Sequence, residues 1–385
     1  MKQNIKIYLI TCLLCCGMFS CDNHPKNQLS KDFEIQLGEK EECRHFTDDY
    51  YDFEIIPLET KKECIISDHH KVFVTDAGIY ISDGDNNIYL FNHDGSFKRK
   101  IGVIGHANNE YVDIFDLATS INGDTIAVLS DLQTLKMYNS DGKFIGSKSL
   151  EFDVSDDEMI GWDNILLTPK GLLMNNYHRV YDKLLYLLEP NSSSIIKFID
   201  VDKGVIRSSP DRSFVPLQYD NNLVCYYDQL SSRFYILNLN DYNDIKSYAL
   251  KSDNILTEEK ARKIDLMSDD YDCVDSYVFA DSMIVGNMSY KGYCCEFKFD
   301  LRDNSMKLFT YEDFGADFVD YYKGYYYDVL YSDFLADLMK VDINDQSTPY
   351  YKIDQYKMLH KAWEPYKDKI SEKDNYYLLK VKMKK

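Results

Sequence analysis

The side chains best suited to proton transfer or metal ligation are the histidines, and the chain has 8 of them in 385 residues. Three places stand out: His69-His70, His106, and the run Tyr177-His178-Arg179. One such imidazole could serve as a general base beside a divalent metal that polarises a substrate, the chemistry of a lyase or hydrolase. The segment Asp83-Gly84-Asp85-Asn86-Asn87 begins like a calcium loop, but Ile88 stands where a sixth-position Gly belongs and Asp94 where a twelfth-position Glu belongs. A strand-to-strand turn rich in Asp, Gly and Asn accounts for it better. No Gly-rich phosphate loop, Gly-x-Ser-x-Gly elbow or His-Glu-x-x-His motif occurs, which disfavours an NTPase, an α/β-hydrolase and a zincin. No catalytic residue, metal ligand or cofactor is assigned. Ligand contact is assigned to His70, His106, Tyr177, His178 and Arg179.

Charge narrows the partners. With 44 basic and 64 acidic side chains the net charge is −20, the wrong sign for neutralising nucleic-acid phosphates or for adhering to anionic lipid. The residue that stands out in composition is Tyr, 33 of them beside 20 Phe. Rings of this kind pack well across pleated strands, so the composition points to a β-rich fold.

The first residues read as an address. Lys2 and Lys6 precede an apolar stretch, Ile7 to Gly17, and Met18-Phe19-Ser20-Cys21 follows. A charged start, a short apolar core and a small residue before the cut make a secretory signal. The stretch falls short of the about 20 residues a membrane-spanning helix needs. Cys after Ser20 resembles the bacterial lipoprotein signal, whose Cys carries the lipid; several acyl chains hold a protein to a bilayer stably. Residues 1–21 are therefore read as signal and 22–32 as a tether. Six Cys remain, Cys43, Cys64, Cys225, Cys273, Cys294 and Cys295, and their spacing selects no pairing. Cys294-Cys295 cannot readily bridge each other within a strand, where neighbours point to opposite faces.

A repeat positions everything else. Asp94-Gly95 and Asp141-Gly142 lie 47 residues apart, each a turn in a unit with apolar runs such as Tyr89-Leu90-Phe91 and Ile126-Ala127-Val128-Leu129. About four short strands per period of about 40–50 residues is the pattern of a propeller blade. Further units run over 164–201, 213–250 and 273–310, with turns near Pro190-Asn191, Asn240-Asp241 and Asp303-Asn304; a short helix is expected over Thr257–Met267. A sixth unit starts at Phe318. Tyr356, Leu359, Trp363, Tyr366 and Ile370 then step at helical spacing, so a helical insertion is expected at about 332–373. Tyr376–Met383 returns as the third strand of the sixth blade, and Phe53–Leu58 supplies its fourth, closing the ring and removing a free edge. The tyrosines from Tyr321 to Tyr331 would pack their rings between blades; exposed at a rim, they would instead stack on sugars or hold a peptide. A β-sandwich with a helical tail is the alternative architecture.

Four short runs carry a family resemblance: Ile56-Pro57-Leu58-Glu59-Thr60, Ile88-Tyr89-Leu90-Phe91 with Asp94-Gly95, Ile101-Gly102 leading to Gly105 and Glu110-Tyr111, and Lys373-Asp374-Asn375 before the last strand. In these the chain resembles the six-bladed β-propeller lipoproteins of Bacteroidetes, themselves similar to NHL-repeat propellers. The departure is Ala107-Asn108-Asn109 where the family carries Gly-Pro-Gly. The resemblance implies an all-β fold, a six-bladed β-propeller over 33–385 with a helical insertion in the last blade. It also implies a lipid-anchored cell-envelope protein at the outer membrane, and no reaction, because fold does not fix function. Expected partners are the membrane, through the lipid, and an envelope protein or a glycan or peptide ligand. Three readings remain: a non-catalytic binding module, a lyase or hydrolase acting on a glycan or peptide, and a structural subunit of an uptake complex.

Overall fold

The computed structural model describes residues 29–39, 43–131, 134–150, 162, 164–176, 182–190, 195–201, 217–263 and 271–384. Six sheets follow one another around a central channel as the blades of a propeller. Counting each blade from its innermost strand, blade one is 69–75, 78–83, 88–91 and 97–100; blade two is 116–119, 125–129, 134–139 and 144–149. Blade three is 165–168, 171–175, 183–188 and 195–200; blade four is 218–220, 223–228, 233–238 and 245–251. Blade five is 273–280, 283–290, 293–300 and 305–309. Blade six takes 318–322, 325–330 and 377–383 from one end of the chain and its outermost strand, 50–57, from the other. Tyr377–Met383 is thus paired on both edges, with Leu379 opposite both Asp328 and Ile55. The ring is closed as the sequence requires.

The strands form where they do because their side chains are apolar on both faces. Tyr89 and Phe91 pack with Ile79, Val72 and Leu378 toward blade six, while Ile88 and Leu90 pack with Leu117, Ile126 and Tyr138 toward blade two. Each fully buried Leu, Ile or Phe contributes roughly 1.5–3 kcal/mol, so the seams between blades, rather than a single centre, hold the molecule together. The tyrosine run alternates in the same way. Tyr321 and Tyr326 turn to the core shared with blade five, Tyr322, Tyr325 and Tyr327 to that shared with blade one.

The expected turns at Asp94-Gly95 and Asp141-Gly142 are present, with both glycines at positive φ. A Cβ on Gly95 would lie 1.9 Å from the Pro57 carbonyl oxygen, so that turn both bends the chain and packs against blade six. The insertion folds as helices Ser332–Met339 and Tyr350–Trp363, followed by one 3₁₀ turn to Tyr366. Leu335, Leu338, Leu359 and Trp363 seat it on the core of blades five and six. The Thr257–Met267 helix is described over Glu258–Lys263, and the turn expected at Pro190-Asn191 runs out of the described residues.

One element lies outside the blade repeat. Lys31–Gln36 is a fifth strand on blade four, parallel to 245–251. Phe33 stacks on Tyr248 at 4.9 Å, Ile35 enters the core, and Asp32 accepts from Arg233 and Ser247. The chain then crosses blade five, where Gly38 accepts from Tyr290 Oη at 2.9 Å and Arg44 pairs with Tyr311, before entering blade six. This strap belts three blades from outside.

Candidate functional site

All six innermost strands run the same way, so the molecule has two unlike ends. At one end, the hairpin face, the connections are two to six residues long. At the other, the loop face, fourth strands lead to the next blade through 8 to 21 residues, and the blade-six insertion spans 331–376. Long connections on a rigid scaffold are where binding residues concentrate. Among the described residues the loop-face segments carry 24 acidic and 11 basic side chains, a net of −13.

His69 begins the inner strand of blade one at the loop face. Its ring lies edge-on to Tyr376 at 5.1 Å and Tyr331 at 6.2 Å, and those two tyrosines meet each other at 5.3 Å. Its Nδ1 is buried with no hydrogen-bond partner. Burial holds the imidazole below its usual pKa, and the carboxylates of Asp317 and Asp68 pull the other way. His69 is therefore kept neutral, wedged under Tyr331, which is itself half exposed.

Asp317, at the start of blade six, accepts from Ser276 Oγ at 2.5 Å and Asn287 Nδ2 at 3.3 Å. Ser289 donates to Asp275 at 3.0 Å. Nearby Glu296 is pushed by burial up to about 9, against the opposing pull of a hydrogen bond from Ala316 and of the Lys298 ammonium. Asp328 is raised well above the carboxylate range by burial and by Asp317. This mouth is acidic and well bonded. Ser276 and Ser289 each donate to a carboxylate. Among the described residues no group of three or more His, Cys, Asp or Glu side chains is arranged to hold a metal ion.

The structure separates most of the residues singled out in sequence. His70 is exposed, 3.8 Å from where a Cβ on Gly84 would stand. His106 is exposed in the turn closed by Ala107 N–H donating to Glu110 at 2.9 Å. Tyr177, His178 and Arg179 lie outside the described residues, as does Cys21. Asp83 is fully engaged as a turn: it accepts from Asn87 N–H at 2.8 Å and from Asp85 N–H at 3.2 Å. Of the run from Tyr321 to Tyr331, Tyr331 is exposed, and the other tyrosines pack between blades as expected.

What sequence reasoning missed lines the channel. Asp116, Asp220 and Asp320, on the inner strands of blades two, four and six, each accept a backbone N–H from the next blade's inner strand or its end. The donors are Ile165 at 2.7 Å, Asp281 at 2.8 Å and Val74 at 2.5 Å. Burial raises all three, Asp320 to about 7, while the Lys71 ammonium opposes the rise at Asp116. A signal exists in the chain: these aspartates recur at intervals of 104 and 100 residues, two blades apart.

The loop face also bears the exposed apolar surface. Of the fourteen large apolar side chains exposed among the described residues, nine lie in loop-face segments, Ile65, Val103, Ile104, Val112, Phe115 and Tyr331 among them; Ile121 alone lies in a hairpin-face segment. Val103, Ile104 and Val112 sit together because Tyr111, buried beneath them, pins the segment: Tyr111 N–H donates to Val103 and Gly105 N–H to Tyr111.

The sequence model of a family described as a domain of unknown function, DUF4934, matches residues 34–382. No curated protein matches the chain. The fold is similar to the crystal structure of a Bacteroides fragilis protein described as exported, at 16% identity and a TM-score of 0.64, covering 92% of this chain and 99% of that one. It is also similar to a member of the duf4221 family from Bacteroides vulgatus, at 9% identity and a TM-score of 0.52, covering 87% and 97%.

Proposed function

Because the chain belongs to the DUF4934 family, whose domain has no assigned function, we propose a role from the geometry: a non-catalytic binding module of the cell envelope, tethered through lipid on Cys21. It meets its partner with the loop face. The observation that carries this reading is the placement of nine of the fourteen exposed large apolar side chains of the described residues on that face. Exposed apolar side chains gathered on one surface and rimmed by polar groups mark interaction sites. Val103, Ile104, Val112 and Phe115, beside acidic Glu110 and Asp113, have that composition. At the channel mouth Ser276 and Ser289 are engaged as donors to carboxylates, and His69 is packed against Tyr331 and Tyr376.

The test is chemical cross-linking in intact cells, comparing the wild-type chain with Val112→Asp/Phe115→Ser. Both side chains are exposed, so the double variant keeps its melting temperature. A cross-linked species present with the wild type and lost with the variant supports the reading. Identical cross-links from both proteins refute the loop face as the contact surface. Metal-dependent turnover of a glycan or peptide, lost on His69→Ala, would replace binding with catalysis.

A further inference from the structure

The strap fixes where the chain leaves the propeller. Ser30 N–H donates to the Ile245 carbonyl at 2.8 Å and its Oγ to Asp244 at 3.2 Å; from there Lys31 to Gln36 are paired residue by residue with Lys246 to Lys251. The exit is the outer rim of blade four. In a ring of six, blade one lies diametrically opposite. The apolar segment of Val103, Ile104, Val112 and Phe115 joins blade one to blade two, on that far side.

Two lengths decide how the ring can sit on a membrane. Cys21 to Ser30 is nine residue steps, which span at most about 30 Å. Four strands at about 4.8 Å on either side of the channel put the far rim roughly 40 Å away. The tether therefore holds the rim of blade four near the bilayer and cannot by itself bring the far rim there. Lying flat on the loop face would press a net charge of −13 from the described residues against the headgroups, and the hairpin-face segments are acidic too, with 9 acidic and 4 basic side chains. Anionic lipid repels both faces.

We propose that the protein stands on edge on its anchoring bilayer, blade four inward, so that the loop-face patch between blades one and two lies on the side of the ring farthest from that membrane. This rests on lipid attachment at Cys21, the anchor assigned above. The partner surface then stands clear of the lipid that holds the protein. Its contact is made with something projecting or diffusing on the far side.

The experiment uses the full lipidated chain in vesicles of phosphatidylethanolamine and phosphatidylglycerol carrying a headgroup quencher. Exposed Cys43 and Cys294 are replaced by Ser, and one fluorophore is placed by Asn240→Cys on the blade-four rim, Lys98→Cys on the blade-one rim, Asn108→Cys on the loop face, or Lys170→Cys on the hairpin face. The expected result is quenching at position 240 several-fold greater than at 98 and 108, with 170 between. Quenching at 108 equal to that at 240 would show the loop face lying on lipid and overturn the proposal. Equal quenching at all four sites would mean free tumbling and overturn it equally. Vesicle flotation of the wild type and of Cys21→Ser reads the anchor separately: a wild-type chain that fails to float overturns the anchor and the orientation with it. Flotation with the wrong quenching order overturns the orientation alone.

Discussion

Glu296 offers the sharpest test of how the seam between blades five and six is built. Burial pushes its carboxyl from an ordinary 4.5 up to about 9, opposed by the Ala316 N–H and Lys298. Across that window the folded protein keeps a proton that the unfolded chain has released. A group raised in this way stabilises fully below the unfolded value, and that contribution is lost as pH rises through the folded one. The slope is about 1.4 kcal/mol per pH unit for one proton. Glu296→Gln keeps the shape and the acceptor but removes the titration. The variant should match the wild type near pH 5 and exceed it by about 3 kcal/mol at pH 7.5. Asp320, raised by burial to about 7, adds a decline of the same sign between about 4 and 7, so the background slopes downward in both proteins. Thermal melts followed by circular dichroism from pH 5 to 8 provide the assay, with the two curves diverging by about 5 °C at the alkaline end. Parallel curves would refute the reasoning, because they would mean that Glu296 is ionised in the fold.

Four further outcomes rest on the same geometry. Lys71→Met strands the buried carboxylate of Asp116 without its ammonium and should cost about 3 kcal/mol in urea unfolding, more at pH 8 than at pH 5. Asp320→Ala removes the acceptor for Val74 N–H at the closing seam; about 1–3 kcal/mol should be lost, whereas Asp320→Asn should be far milder and flatten the pH profile. Gly95→Ala sets a Cβ against the Pro57 carbonyl at positive φ, and its unfolding free energy should fall below that of Ser96→Ala, at the half-buried neighbour, by at least about 1–3 kcal/mol, the cost of the backbone strain. Ile35→Ala should cost about 2 kcal/mol and speed proteolysis ahead of residue 50, since the strap then holds blade four more weakly.

The candidate site is legible in the sequence only in part, and the reason is visible in particular residues. His69 stands out because histidine is rare here, and its place at the start of an inner strand follows from the repeat. Its neighbours Tyr331 and Tyr376 carry no such mark. They are separated from it by more than 250 residues and arrive only because blade six closes on blade one. His70 and His106 are equally conspicuous as letters and are solvent-facing in space. The seam aspartates fail in the opposite sense: their spacing is regular, but an Asp in a strand carries no mark that its carboxylate will bond the next blade's backbone.

Local sequence alone determined the blades. Apolar runs on both faces, Asp-Gly turns one blade apart and a helical stripe from Tyr356 to Trp363 are all statements about neighbours in the chain, and each became the expected element. The same is true of closure, because an unpaired strand at Phe53–Leu58 and a lone one at Tyr376–Met383 need each other. Tertiary structure alone decided which end of the ring is acidic and apolar, which carboxyls stay protonated, and where the chain leaves the fold. Lys31–Gln36 shows why: Phe33 and Ile35 alternate with Asp32, Glu34 and Gln36 as in a half-buried strand, but the strand's partner is set only by the open edge of blade four, with Tyr248, Ser247 and Arg233 along it. An edge is a property of the assembled sheet, so no reading of those six residues by themselves contains it.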